Sequence, residues 1–163
     1  SKCDILIDDT AGITATGMKA KLRRVDNLGL VIIDYLQLMQ GDHRNDNRVQ
    51  EVAEISRALK LMAKELMVPI ICCAQLSRGP ESRTDKKMLS DLRDSGAIEQ
   101  DADVVMFLYR DEYYKTDKGE GDAPESNIAE VIIAKNRHGS TENVKMGWIG
   151  KYTKFRTLSN QES

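Results

Sequence analysis

Residues 30–34 read LVIID and residues 49–75 read VQEVAEISRALKLMAKELMVPIICCAQ, and these two stretches decide the fold. The run LVII is wholly apolar and ends in an acid, which is typical of a strand buried on both faces of a sheet. In the second stretch, apolar residues recur at spacings of three and four between charged ones, which predicts an amphipathic helix. Pro69 ends that helix, and IICCA at 70–74 predicts another buried strand. Because such crossovers are right-handed, the two strands are expected to be parallel.

Upstream of this unit, CDILIDD at 3–9 predicts a further short buried strand. A helix that Thr14 or Thr16 caps is then expected to run to about Asp26. Downstream, VVMFLY at 104–109 predicts a strand. Extended stretches at 128–135, 144–149 and 154–158, with short connections between them, predict antiparallel strands. We therefore predict an α/β fold in one domain over residues 1–163, with a parallel sheet flanked by helices and antiparallel strands added at the C-terminal end.

The composition is that of a globular domain, with 40% apolar and 31% charged residues among 163. No apolar run approaches the roughly 20 residues that a membrane helix needs, and the N-terminus lacks a signal-peptide layout. Three cysteines, two of them adjacent, cannot make an economical disulfide framework. Cys72 and Cys73 lie in an apolar strand and are predicted to be inert core residues. These features predict a cytoplasmic protein without membrane contacts.

The net charge of −2 hides a gradient along the chain. From Glu99 to Glu130 there are 10 acidic and 3 basic residues, whereas from Val131 to Thr157 there are 1 acidic and 6 basic residues. Opposite patches favour head-to-tail packing of copies, or an anionic ligand near the basic end. An ordinary solvated surface explains the gradient equally well.

Three polar residues directly follow predicted strands, where ligands gather in parallel α/β sheets. Asp34 after LVII has the Walker B layout, which holds a Mg²⁺-bound water beside nucleotide phosphates. Gln75 offers a neutral amide to a γ-phosphate, and Lys135 with Arg137 forms a cationic pair on one side of an extended segment. Each also has an ordinary explanation, as a turn-capping acid, a loop glutamine and a solvated face.

Five blocks occur in order along the chain, at 4–25, 30–41, 49–78, 91–114 and 132–139. They begin DILIDDTAGIT, LVIIDYLQLMQG, VQEVAEISRALK, DLRDSGAIEQDAD and IIAKNRHG, and they resemble the C-terminal motor domain of bacterial replicative DNA helicases, the DnaB family. The resemblance implies a RecA-like fold, ATP and Mg²⁺ as cofactors, single-stranded DNA as a ligand and a homo-hexamer. It also implies primase and a helicase loader as partners.

The resemblance also implies roles for individual residues. Asp34 matches the Walker B aspartate that orients Mg²⁺ and water, and Gln75 matches the glutamine that senses the γ-phosphate. Lys135 and Arg137 match a basic pair that reaches the neighbouring subunit's nucleotide. The residues expected to contact DNA are those of one channel loop, Arg93, Asp94, Ser95 and Gly96, together with Arg44 in the loop Gly41–Arg48.

The chain departs from the family pattern at three places. Asp94 stands where glutamate is usual, and His138-Gly139-Ser140 replaces the usual sequence after the basic pair. No G-x-x-x-x-G-K-[ST] occurs in the 163 residues. We therefore expect that this chain lacks the phosphate-loop strand, leaves a sheet edge to be covered, and alone neither hydrolyses ATP nor binds it tightly.

Two other functions stay open at this point. A non-catalytic module could retain the ring interface and the DNA loop and dock onto an intact helicase or DNA. A RecA-like recombinase or clock-type ATPase would share the sheet and the Walker B strand, but the block DLRDSGAIEQDAD argues against it.

Overall fold

The structure is a computed structural model that describes residues 3–43, 47–75, 96–110 and 127–158. These residues form two compact units. The first contains the described residues up to 75 together with 96–102, and the second contains 103–110 and 127–158. The single domain over 1–163 stays a prediction.

The first unit is a two-stranded parallel sheet with helices around it. Its elements in chain order are α1 (Ala15–Leu22), β1 (Val31–Ile33), a 3-10 turn (Leu36–Leu38), α2 (Arg48–Leu66), β2 (Ile70–Cys72) and α3 (Gly96–Asp101). Val31 lies opposite Ile70, and Ile33 lies opposite Cys72. The strand–helix–strand unit predicted from residues 30–75 is confirmed.

Helix α2 supplies four of the ten buried residues that form the core of this unit. Asn47 caps its first turn by accepting a 2.9 Å hydrogen bond from the Val49 N–H, and Met67 ends it in the left-handed conformation with φ 53°. The apolar face of α2 packs against β1 and the 3-10 turn, and its buried residues are Val52, Ile55, Leu59 and Met62. The helical spacing in the sequence therefore predicted both the element and its buried face.

Helix α1 begins where it was predicted and ends earlier. Thr14 Oγ1 accepts from the Gly17 N–H at 3.1 Å, which is the expected N-cap. The helix ends at Leu22 instead of Asp26, because Arg24 and Val25 donate to carbonyls only three residues back. These bonds tighten the last turn, as is common at helix ends.

The predicted strand at 3–9 is wrong. Ile5, Leu6 and Ile7 are 80%, 76% and 89% exposed, and among the described residues no strand pairs with them. A strand is held by main-chain pairing with a neighbour, so an apolar run without one does not form a strand. The segment is instead tied down at Asp8, whose carboxylate accepts from Lys21 Nζ at 2.7 Å. That bond, with the Thr10 hydroxyl, lowers the pKa of Asp8 to about 2.

The second unit is a four-stranded antiparallel sheet in the order β3–β4–β5–β6. Its strands are β3 (Val104–Tyr109), β4 (Ile128–Asn136), β5 (Asn143–Ile149) and β6 (Lys154–Arg156). Phe107 and Ala129 are buried, and the rings of Trp148 and Phe155 meet edge to face at 4.8 Å. The antiparallel strands predicted for the C-terminal part are confirmed.

A β-bulge in β4 changes which face carries its last residues. Val105 lies opposite Lys135 while Met106 lies opposite Ile133, so Ala134 is the extra residue. Because Val105 and Met106 face opposite sides, Lys135 and Ile133 do so as well. The bulge therefore places Lys135 on the face away from Ile133.

The two adjacent thiols differ in their surroundings. Cys72 is the last residue of β2 and is half-buried, and this burial raises the pKa of its thiol to about 12. Cys73 lies beyond the strand end and is exposed, so its predicted place in the core is wrong. In the described part of the chain, no helix combines the length and the apolar character needed to cross a bilayer.

Candidate functional site

Asp34 and Gln75 lie at the same edge of the parallel sheet. Asp34 directly follows β1, and Gln75 comes three residues after the end of β2. The Cys73 N–H donates to the Ile33 carbonyl at 2.9 Å, which continues the pairing to this edge. The two residues that the sequence singled out therefore both follow neighbouring parallel strands at their carboxyl ends.

Gln37 holds Gln75 through two main-chain hydrogen bonds. Its side-chain Nε2 donates to the Gln75 carbonyl at 2.8 Å, and its Oε1 accepts from the Gln75 N–H at 3.2 Å. Gln37 stands on the 3-10 turn that follows Asp34. Sequence reasoning missed this residue, and the only signal was a polar side chain inside the apolar run 36–39.

A second set of contacts joins Gln37 to the loop that begins at Gly41. Arg48 Nη2 donates to the Gln37 carbonyl at 2.8 Å, and Arg48 Nη1 pairs with the Glu51 carboxylate. The other carboxylate oxygen of Glu51 accepts from the Gly41 N–H at 2.9 Å. That N–H bond and then Arg48 hold the pKa of Glu51 below its usual value. The start of the loop, Gly41, is thus linked to the 3-10 turn that carries Gln37, the turn that also holds Gln75.

The basic pair lies at the end of β4 in the second unit. The Arg137 N–H donates to the Asp103 carbonyl at 2.8 Å, and its guanidinium lies 3.4 Å from the Asp103 carboxylate. The two side chains are 46% and 44% exposed. Since Asn136 pairs with Val104, Arg137 faces Asp103 across the strands on the same side as Lys135.

The segment after Arg137, where the chain departs from the family pattern, forms a tight turn. Asn136 Nδ2 donates to the Ser140 carbonyl at 3.2 Å, and Asn136 Oδ1 accepts from the His138 N–H at 3.3 Å. A Cβ at Gly139 would lie 2.6 Å from Asn136 Nδ2, so a side chain there would displace the amide that closes the turn.

Most of the predicted DNA contacts lie outside the described residues. These are Arg44, Arg93, Asp94 and Ser95. Gly96 is the first residue of α3. An ion pair of 3.3 Å between Arg57 and Asp101 ties α3 to α2. Gly96, the part of the predicted DNA loop that the structure describes, therefore lies on a helix that is linked to α2.

The donor set at the sheet edge fits magnesium and a nucleotide. Mg²⁺ in proteins is usually held by one or two carboxylates together with waters and substrate phosphates. Asp34 provides an exposed carboxylate at the strand end, and Gln75 follows the neighbouring strand. The edge has the hard oxygen ligand that this ion prefers.

Comparison with known proteins decides the family. The family model of the DnaB-like helicase C-terminal domain matches residues 1–157. The chain belongs to this family. It is 52% identical to the replicative DNA helicase DnaC of Bacillus subtilis (strain 168) over 166 residues, covering 99% of the chain and 36% of that protein. It is 50% identical to the replicative DNA helicase DnaB of Geobacillus stearothermophilus, with the same shares.

Two solved structures confirm the RecA-like α/β fold. A DnaB-like replicative helicase, solved with its interactions with primase, matches with a TM-score of 0.84 and 44% identity, over 93% of this chain and 37% of its own. The ATPase domain of a second protein matches with a TM-score of 0.83 and 44% identity, over 93% of this chain and 54% of its own. The chain spans 36% of the length of the curated relatives named above.

Proposed function

We propose that the chain is the distal part of the ATP-driven motor of a hexameric replicative DNA helicase. Such a motor unwinds duplex DNA by moving along one strand. The observation that carries the proposal is that Asp34 and Gln75 follow the carboxyl ends of the parallel neighbours β1 and β2 in a DnaB-like domain. Ligands bind at this edge in open α/β sheets.

Each of these two residues has a chemical role at that edge. The Asp34 carboxylate would hold Mg²⁺ through a water, and the Gln75 side-chain amide would hydrogen-bond the γ-phosphate without adding charge. Mg²⁺–ATP, when bound, supplies the phosphoanhydride whose hydrolysis drives the motor. Gln37 keeps the Gln75 main chain in place through its two hydrogen bonds.

Lys135 and Arg137 act on the nucleotide of a neighbouring subunit in the hexamer. A guanidinium supplied from another subunit stabilises the charge that develops during phosphoryl transfer. The Asp103 carboxylate, 3.4 Å from the Arg137 guanidinium, limits the orientations of that side chain. The 6 basic residues between Val131 and Thr157 favour an anionic ligand at this end of the chain.

The remaining contacts are with DNA and with other proteins. Arg93, Asp94, Ser95 and Gly96 grip the backbone of single-stranded DNA, since an arginine and main-chain N–H groups bind phosphates without reading bases. Arg44 contacts the same strand from the loop Gly41–Arg48. Primase and a helicase loader are the proposed protein partners, in the cytoplasm.

The phosphate loop is assigned to a part of the motor beyond these residues. The 163 residues hold no G-x-x-x-x-G-K-[ST], the sequence that cradles phosphates. The chain also spans only 36% of the length of the relatives named above.

A hybrid helicase tests the proposal. In it, residues 1–163 replace the matching segment of the Bacillus subtilis relative, whose remaining segments are kept. We expect magnesium-dependent ATP turnover that single-stranded DNA stimulates, together with strand separation. Arg137→Ala should lower turnover by up to ~10³-fold and leave nucleotide binding nearly unchanged. Near-normal turnover of that variant would remove Arg137 from this role.

The alternative function is that of a non-catalytic module, and ATP turnover of the hybrid distinguishes it from the motor. Such a module would bind DNA or an intact helicase without contributing to ATP turnover. A hybrid that folds and binds single-stranded DNA but does not hydrolyse ATP would support this second function.

A further inference from the structure

We propose that Gln37 is a positioning residue that couples the γ-phosphate contact of Gln75 to the loop beginning at Gly41. The inference rests on the proposed function, because it takes Gln75 as the phosphate sensor and that loop as a DNA contact. What it adds is a physical connection between the two. The connection consists of five hydrogen bonds that run from Gln75 through Gln37, Arg48 and Glu51 to Gly41.

The first part of the connection fixes the main chain of Gln75. Gln37 binds both the N–H and the carbonyl of this one residue, at 3.2 and 2.8 Å. Two bonds on either side of one Cα restrict both of its dihedral angles. Neither bond uses the Gln75 side chain. The main chain of Gln75 is therefore held in place, while its side-chain amide, which would contact the phosphate, takes no part in these two bonds.

Gln37 itself stands on a rigid support. Its neighbours Leu36 and Met39 are each 2% exposed and lie in the core under α2. The Leu36 N–H also donates to the Cys73 carbonyl at 2.8 Å, which joins the turn to the end of β2. A side chain held on a packed turn positions its partner more exactly than one on a loose loop.

The second part of the connection leads away from the nucleotide edge. Arg48, the first residue of α2, donates to the main-chain carbonyl of Gln37. A shift of the turn therefore displaces the Arg48 side chain. Arg48 also pairs with Glu51, whose second oxygen binds the Gly41 N–H. A displacement of Gln75 on loss of the γ-phosphate is thereby passed to Gly41, three residues before Arg44. The geometry assigns a coupling role to these contacts.

The hybrid helicase, once it shows turnover, tests this with matched glutamine variants. Gln37→Met keeps the length of the side chain and removes both bonds to Gln75, whereas Gln50→Met changes an exposed glutamine that makes none of the five bonds. We expect Gln37→Met to lower kcat about tenfold, with little change in KM for ATP, and to weaken stimulation by single-stranded DNA. Gln50→Met should match the unchanged hybrid. The double variant with Gln75→Ala should lose no more than Gln75→Ala alone, because Gln37 acts through Gln75.

Two further measurements keep the outcomes separate. If Gln37→Met lowers the melting temperature well below that of Gln50→Met, then Gln37→Glu is used. It keeps the side-chain shape and the acceptor oxygen, replaces the donor with a carboxylate oxygen and adds a negative charge; kcat should again fall. In the 163-residue chain itself, the Gln75 and Gly41 amide hydrogens should exchange faster with solvent in Gln37→Met than in Gln50→Met.

Equal kcat, equal DNA stimulation and equal amide exchange in the two methionine variants would overturn the inference and leave the proposed function intact. Normal turnover of Gln75→Ala would instead refute the proposed function at this residue. If the Gln75 amide hydrogen exchanges faster in Gln37→Met but the exchange rate at Gly41 is unchanged, the coupling is also overturned. The effect of Gln37 would then not reach Gly41.

Discussion

Asp103→Asn is expected to slow ATP turnover without destabilising the protein. The change removes the carboxylate that lies 3.4 Å from the Arg137 guanidinium, while the 2.8 Å bond between the Asp103 carbonyl and the Arg137 N–H uses main-chain atoms and remains. Both side chains are close to half exposed, and ion pairs of this kind contribute about 0–1 kcal/mol to stability. The free energy of unfolding should therefore change by at most about 1 kcal/mol.

The effect on turnover should be larger than this, because catalysis depends on where the guanidinium lies. A misplacement of about 1 Å can cost on the order of 10²-fold in rate. We therefore expect kcat of the hybrid helicase to fall about 10- to 100-fold in Asp103→Asn, within the ~10³-fold limit expected for Arg137→Ala. The double variant should be no slower than Arg137→Ala alone.

The matched control is Glu142→Gln, which removes one negative charge from the same unit and leaves Arg137 paired with Asp103. Steady-state turnover with saturating single-stranded DNA is measured for both variants, and urea melts measure their stability. If Asp103→Asn and Glu142→Gln show the same kcat, Asp103 does not position Arg137. If the two losses in Asp103→Asn and Arg137→Ala multiply in the double variant, the residues act independently and the reasoning is again refuted.

Three other predictions concern DNA, the isolated chain and its thiols. Arg93→Ala in the hybrid should weaken single-stranded DNA binding for all sequences and reduce the salt slope by about 1, measured by fluorescence anisotropy, whereas base-selective loss would contradict a phosphate contact. The 163-residue chain alone should show no ATP turnover and no tight ATP binding by calorimetry, and light scattering should give the same mass with and without Mg²⁺–ATP; a hexamer that forms only with nucleotide would refute this. At pH 8 a maleimide should modify the exposed Cys73 well before Cys72, whose thiol with a pKa of about 12 stays protonated, and mass spectrometry of peptides would show equal labelling if that burial were wrong.

The elements that could be predicted from sequence are those whose signal is local. The spacing of Ile55, Leu59 and Met62 specifies both a helix and its buried face, and all three are buried. The apolar runs of β1 and β2 specify strands, and their parallel pairing follows from the handedness of the crossover. Because parallel strands end on the same side of a sheet, the placement of Asp34 and Gln75 after the carboxyl ends of β1 and β2 also follows from sequence.

The features that could not be predicted depend on a partner elsewhere in the molecule. Ile5, Leu6 and Ile7 have the composition of a strand, but a strand also needs a neighbouring edge, which the sequence of the segment does not describe. The contacts of Gln37 depend on a side chain reaching main-chain atoms 38 residues away. The β-bulge at Ala134 likewise arises from register between strands, and no residue of β4 signals it.

Both proposed nucleotide contacts are supported at the main chain. Gln75 is held at its N–H and carbonyl by Gln37, and Arg137 is held at its N–H by the carbonyl of Asp103. Anchoring at the main chain fixes where a side chain starts and leaves its polar end able to respond to a ligand. This arrangement suits Gln75, which must detect the loss of a phosphate, because a side-chain amide held tightly by its own protein would not respond to that loss.

The two contacts differ at the tips of their side chains. The Asp103 carboxylate, 3.4 Å from the Arg137 guanidinium, also positions the tip of that side chain. The bonds from Gln37 to Gln75 join neutral groups and do not involve the Gln75 side-chain amide. The position of the arginine should therefore respond to salt more strongly than that of the glutamine, because the ion pair that supports it is half exposed.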